Sequence, residues 1–351
     1  MKDLYKIIIV GAVIGVIALV LTAQGNPPNM GFCGACFIRD TAGAMGFHRA
    51  EAVQYVRPEI IGIVFGAFLF GLFTKRSNVQ GGSSPITRFV LGICVMIGAL
   101  IFLGCPLRMV LRIAGGDLNA VVGLVGFVLG IAVGIFFLKR GFSLGKTQQQ
   151  KKVEGYPFIL INLLIIGFFI LVPSLFFFST EGPGSMHAPI ILSLVAGLII
   201  GAIAFSSKFC FSGGIRDLIM FKDYGMLIGI LTVILVVGIG NMIMGNFHLG
   251  FENQPIAHTN WFFNIGGLFI VGFASTMLSG CPLRQLVLAG SGNVDSVVTV
   301  IGLFVGAALA HNFQLASTPD GPSDNGQIAF WIVLAIMFAI AILNSKLNKK
   351  N

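Results

Sequence analysis

Apolar blocks of nearly uniform length decide what this chain can fold into. Ile7 to Ala23, Leu118 to Leu138, Pro157 to Phe178 and Tyr224 to Gly245 are four of them, each near the ~20 residues that carry a helix across a bilayer core. Only 10% of the 351 residues are charged, against roughly 25% in a soluble globular chain, so water is not the main solvent. In hydrocarbon every backbone polar group must be satisfied within the protein, and uninterrupted blocks of this length do so as helices. Candidate spans fall near 7–23, 53–73, 89–104, 118–138, 157–178, 188–205, 224–245, 261–279, 295–313 and 328–345. The first lacks a small-residue cleavage site and is expected to be a retained helix, not a signal peptide.

Two motifs each occur twice. Phe32-Cys33, four residues, then Ile38-Arg39-Asp40 matches Phe209-Cys210, four residues, then Ile215-Arg216-Asp217 at an offset of 177. Gly104-Cys105-Pro106-Leu107-Arg108 matches Gly280-Cys281-Pro282-Leu283-Arg284 at an offset of 176, without a gap as far as Val121-Val122 against Val297-Val298. Two motifs in the same order and spacing mark a duplication, with residues 1–180 as one repeat and 181–351 as the other. Five candidate spans lie in each half, and an odd number makes the second copy enter the membrane from the opposite side. The expected fold is therefore an all-α integral membrane protein, about ten transmembrane helices plus short re-entrant helices, in two inverted-topology repeats.

Charge gives an independent topology. With both termini cytoplasmic, the inner connections hold Lys75, Arg76, Arg88, Lys139, Arg140, Lys146, Lys151 and Lys152, and the tail holds Lys346, Lys349 and Lys350. The outer loops 179–187, 246–260 and 314–327 contain no Lys or Arg, as the positive-inside rule requires. The net charge of +9 thus reports orientation and gives no support to nucleic-acid binding. Five arginines break the rule: Arg39, Arg49, Arg57, Arg108 and Arg112 lie on the outer side, in or near the first-half motifs. For Arg49, Arg57 and Arg112 the expectation is an interfacial side chain that snorkels or pairs, Arg57 with Glu59 for instance. Arg39 and Arg108 recur as Arg216 and Arg284, which argues for a role beyond topology.

In Gly-Cys-Pro-Leu-Arg, proline suits the first helical position, so Cys105 and Cys281 are expected as N-caps of short helices through about Leu107 to Ala114 and Leu283 to Leu288. Gly115-Gly116 and Gly290-x-Gly292 would stop them. Such helices are too short to span and read as re-entrant, with their N-termini pointing into the protein. A helix N-terminus carries roughly half a positive charge and open N–H groups, which favours an anion or an ionised thiol. Cys94, unrepeated among Ile, Val and Met, reads as packing. Cys33 and Cys36 form a Cys-x-x-Cys, but no second pair at metal spacing accompanies it and no βαβ context surrounds it, so neither zinc nor a thioredoxin-like site is expected. Cys36 reads as an accessory thiol or as packing. Arg39-Asp40 and Arg216-Asp217 are either structural salt bridges or part of a positive field at a pore mouth. Asp117 matches Asn293 and reads as a turn or cap residue. The dispersed histidines carry no expected role, and no cofactor or catalytic residue is expected.

At these residues the chain resembles the YeeE/YedE family, inverted-repeat transporters of thiosulfate and related sulfur compounds. The string Phe32-Cys33-Gly34-Ala35-Cys36-Phe37-Ile38-Arg39-Asp40 is similar to the YedE branch of selenium transporters. The resemblance implies that cysteines lining a central path relay substrate, here Cys33, Cys105 and Cys281, with Cys210 as the second-half match. The motifs themselves give Cys36, Arg39, Asp40, Arg108, Arg216, Asp217 and Arg284 as expected accessories. It implies import of a small sulfur- or selenium-containing anion through the inner membrane, with no nucleic acid and with a cytosolic sulfur- or selenium-carrier protein as a possible partner. The alternative is a membrane-embedded thiol or persulfide transferase. A soft-metal channel is a third reading, against which the repeated arginines argue.

Overall fold

Proline, glycine and left-handed residues punctuate the described residues into fourteen α-helices. The computed structural model describes residues 2–76 and 79–347; Lys349 and Lys350 of the basic tail lie outside the described residues. In chain order the helices are α1 (Lys2–Ala23), α2 (Gly34–Ala44), α3 (Pro58–Phe73), α4 (Pro85–Phe102), α5 (Pro106–Ala114), α6 (Leu118–Lys139), α7 (Tyr156–Leu171), α8 (Ile190–Ser207), α9 (Phe211–Phe221), α10 (Gly225–Ile243), α11 (Trp261–Met277), α12 (Pro282–Gly290), α13 (Val294–Asn312) and α14 (Asp324–Leu347). Among the described residues the only strands are β1 (Gln80–Gly81) and β2 (Gln148–Gln149), one antiparallel pair. Ten helical stretches are long and apolar enough to cross a membrane. The chain is an all-α integral membrane protein.

The helices α3, α4, α5 and α12 each open on a proline, whose fixed φ is ready for the first turn and whose missing N–H costs nothing there. At the elbows between α4 and α5 and between α11 and α12, Leu103 (φ 63°) and Ser279 (φ 60°) take the left-handed conformation. That conformation is uncommon for a side-chain-bearing residue and ends each long helix abruptly before the Gly-Cys-Pro. After the short helices, Gly116 (φ 92°) and Gly292 (φ 96°) make the matching left-handed turns, which only glycine adopts freely.

Packing follows from a reversal of the soluble pattern. On α6, Val121, Val125, Leu129 and Phe136 are exposed, while Gly123, Gly126, Gly130 and Gly134 are buried. Apolar side chains meet lipid and small residues meet protein, because close backbone approach, not water exclusion, drives helix association in a bilayer. A methyl group at Gly126 would stand 2.0 Å from the Ile265 carbonyl oxygen on α11, and one at Gly130 would stand 2.1 Å from that of Phe269.

The same approach recurs with the halves exchanged. A methyl group at Gly302 on α13 would stand 2.3 Å from the Phe89 carbonyl oxygen of α4, and one at Gly306 would stand 3.0 Å from the Ile93 carbonyl oxygen of α4. These residues are the offset-176 matches of the first set. Likewise α3 packs on α8, and α10 packs on α1. Each major contact thus has a partner in which first-half and second-half helices trade places, the signature of a two-fold relation between them.

Candidate functional site

The first motif forms a helix start in each half. Cys33 (φ −149°, ψ 118°) is extended and its Sγ accepts the Cys36 N–H at 3.3 Å, capping α2. Cys210 (φ −154°, ψ 125°) repeats this at α9, accepting the Gly213 N–H at 3.4 Å. At 11 residues each, these helices rise about 16 Å, too little to cross. Both first-motif cysteines are therefore N-caps, a role expected only of the second-motif pair. The missed signal was the composition: Gly34-Ala35 and Ser212-Gly213-Gly214 follow the cysteines, and small residues let a first turn sit in a crowded centre.

Cys105 and Cys281 occupy the N-cap positions of α5 and α12 as expected, but neither makes a side-chain capping bond. Their thiols turn instead to the other cysteine of the same half. Cys33 Sγ lies 3.6 Å from Cys105 Sγ, and Cys210 Sγ lies 3.8 Å from Cys281 Sγ. The close pairs are thus Cys33 with Cys105 and Cys210 with Cys281, not the repeat-related matches. The halves still meet here: a methyl group at Gly34 would stand 3.3 Å from the Leu283 backbone nitrogen in the first turn of α12. α5 likewise touches α9. Four helix N-termini, each with a cysteine at its start, converge at the centre, and their partial positive charges add. The thiols are buried, Cys210 being the most open at 7%. All six cysteines are free.

The motif arginines separate into paired and unpaired. Asp40 is held by Arg39 at 2.6 Å and by Arg57 at 2.8 Å, all three buried. Arg57 therefore pairs with Asp40 and not with Glu59; its Nη1 and Nη2 donate to the Met186 and Pro183 carbonyls, fastening the loop before α8. Arg112 pairs with Asp117 at 2.6 Å, fully buried, and Asp117 also caps α6 through the Asn119 N–H at 2.9 Å. Of the two expected alternatives, snorkelling or pairing, Arg57 and Arg112 take pairing, and only the partner of Arg57 differs, being Asp40 and not Glu59. Arg49 is the interfacial case, stacked 4.0 Å over Phe177. Arg216 and Asp217 pair at 2.9 Å with side chains 29% and 28% exposed.

Arg108 is fully buried, and its bonds all go to carbonyls: Leu103, Pro255 at 3.4 Å and Ile256 at 3.1 Å. Arg284 donates to the Ala204 carbonyl at 3.5 Å. Among the described residues neither has a carboxylate at ion-pair distance.

Other buried polar groups escaped the sequence reading. Glu59 Oε1 accepts from Asn26 at 2.9 Å and Ser193 at 3.0 Å, tying α3 to α8; a carboxylate inside an apolar block was the available signal. His48 and His311 meet across the halves with ring centres 4.5 Å apart and planes tilted by 34°. His48 Nδ1 accepts the Ala50 N–H, so its Nε2 donates to the Arg39 carbonyl at 3.0 Å. Burial lowers the pKa of His48.

By fold and site the protein is a two-fold-packed helical membrane protein with paired thiols and helix N-termini at its centre. Residues 206–347 match the family described as sulphur transport. Over 167 residues the chain is 22% identical to the thiosulfate transporter TsuA of Escherichia coli (strain K12), a match that covers 45% of this chain and 47% of that protein. The chain thus spans about half the length of the relative it matches. Both findings support membership of the YeeE/YedE family, and neither bears on its selenium branch.

Proposed function

We propose that the protein imports a small sulfur- or selenium-containing anion across the inner membrane, both termini being cytoplasmic, between inverted repeats 1–180 and 181–351. Cys33, Cys105, Cys210 and Cys281 line the path. Cys36, Arg39, Asp40, Arg108, Arg216, Asp217 and Arg284 shape its charge. The observation that carries this reading is the convergence of four cysteine-started helix N-termini from two halves. Helix ends offset the desolvation of an anion, while S–H groups donate weakly to a soft terminal sulfur or selenium. Phosphate or another hard anion gains less from thiols.

The second reading, a thiol or persulfide transferase working with a cytosolic carrier, is favoured by the close sulfur pairs. Their burial at 7% exposure or less argues against direct access by a protein partner, so a carrier fits better as acceptor of delivered substrate. Labelled uptake into cells at equal expression tests the proposal. Cys105→Ala and Cys281→Ala are expected to lose most thiosulfate or selenium uptake. Wild-type rates in both variants would refute the thiol path, and a covalent adduct formed during turnover would favour the transferase.

A further inference from the structure

Residues 246–260, which join α10 to α11, form a strap that lies along α5. At one end the strap meets the turn after α5. There the His248 N–H donates to the Gly115 carbonyl at 2.9 Å, the Gly250 N–H to the Gly116 carbonyl at 3.1 Å, and the Leu118 N–H to the Gly250 carbonyl at 3.0 Å. The Asn119 side chain donates to the Phe251 carbonyl at 2.6 Å. At the other end the strap reaches the start of α5. Arg108, in the first turn, donates to the Pro255 and Ile256 carbonyls at 3.4 and 3.1 Å, and His258 Nε2 donates to the Ile101 carbonyl at 2.8 Å. A methyl group at Gly104 would stand 3.1 Å from Arg108 Cδ, so this latch lies beside Cys105.

Two features mark the strap as a moving part. Of its large apolar side chains, Phe247 and Leu249 are exposed and Phe251 and Ile256 only partly buried, so hydrogen bonds, which water can replace, do most of the holding. Ile256, which carries a latched carbonyl, has φ 51°. For a β-branched residue that is a strained backbone, and such strain gathers at clamps and switch regions. The fastening also recurs. The offset-176 match of Asn119 is Asp295, which accepts the Gly82 and Ser83 N–H groups at 2.9 and 3.1 Å and the Ser83 hydroxyl at 2.6 Å, in the connection from α3 to α4. The same position in each half thus holds the connection between the second and third spans of the other half. Arg284, the match of Arg108, turns instead to the Ala204 carbonyl on α8, so the two sides of the path are closed by different means.

We infer that residues 246–260 are the outer gate of the path, with Arg108 and Asn119 as the positioning side chains that hold it shut. Release of the strap bares the start of α5 and with it Cys105, which is 1% exposed in this closed arrangement. The inference rests on the transport reading and its topology, and adds to them the part that moves.

The test follows labelling of Cys105 by a membrane-impermeant maleimide, located by mass spectrometry, in right-side-out and inside-out membrane vesicles carrying the full-length protein. Asn119 Oδ1 has no partner, so Asn119→Leu deletes the strap bond without orphaning another. Asn119→Leu is expected to raise Cys105 labelling about fivefold and Arg108→Gln about tenfold or more, the sizes of a neutral and a charged hydrogen bond. The rise should occur in right-side-out vesicles only, with Cys281 unchanged in inside-out ones. Asn119→Leu decides the matter where Arg108→Gln does not fold. Wild-type labelling in folded Asn119→Leu overturns the inference, and so does a rise at both cysteines from both sides, the mark of general loosening. Thiosulfate uptake is measured in the same vesicles. Wild-type uptake with labelling unchanged in the variants sinks the gate and leaves transport standing. Labelling that follows the variants without wild-type uptake sinks transport and leaves the strap as the cover of Cys105.

Discussion

Asp40 and Asp217 occupy the same place in a repeated Ile-Arg-Asp, yet removing them should have very different consequences. Asp40 is fully buried and bonds two guanidiniums that are themselves buried, Arg39 and Arg57. Asp40→Ala leaves both without a partner carboxylate, and breaking one buried pair costs about 3–5 kcal/mol. Its loss also releases Arg57, which anchors the loop before α8 at Met186 and Pro183, so the upper end of that range is expected. Asp217 pairs once, with side chains 28–29% exposed, and pairs open to solvent are worth roughly 0–1 kcal/mol. The assay is equilibrium unfolding in mixed detergent and SDS micelles, following tryptophan fluorescence, with both single variants prepared side by side. Asp40→Ala should lower the midpoint steeply and Asp217→Ala should barely move it. Equal shifts, or a loss below about 1 kcal/mol for Asp40→Ala, would refute the argument that burial and a shared carboxylate set the difference.

Mild oxidation should join Cys33 to Cys105 and Cys210 to Cys281, whose sulfurs lie 3.6 and 3.8 Å apart, while Cys94 stays free; peptide mapping by mass spectrometry checks the pairing. Gly126→Ala would drive a methyl to 2.0 Å from the Ile265 carbonyl and should cost about 2 kcal/mol or more by overpacking, read as a lower unfolding midpoint, whereas Gly167→Ala in α7, whose added methyl would meet nothing within 4 Å, should leave it unchanged or slightly higher. His48 has a pKa depressed by burial, so it contributes stability that is full above the unfolded value of about 6.5 and is lost as pH falls below it. His48→Gln should flatten that acid-side decline, and an unchanged pH profile would remove His48 as its source.

Class, span number and repeat were legible in the sequence because each rests on local chemistry. A block of some 20 apolar residues has few alternatives in lipid, and Cys-Pro begins a helix wherever it falls. Glycine stops after α5 and α12 were readable for the same reason, since Gly116 and Gly292 supply a left-handed φ that few other residues adopt. Partner choice was not legible. Arg57 is followed by Glu59 two residues on, yet the bundle brings it to Asp40, 17 residues away. Cys33 finds Cys105, 72 residues away. Identical motifs diverged as well: Asp40 is sealed inside while Asp217 lies partly open, although both follow Ile-Arg. Sequence determines which groups exist and which way each helix begins. Only tertiary packing decides which charges meet, because pairing depends on distance and dielectric, and both are properties of the assembled bundle. Among the described residues the same packing leaves Arg108 and Arg284 with carbonyl partners and no carboxylate, a fact that two copies of Gly-Cys-Pro-Leu-Arg announce by position but do not explain.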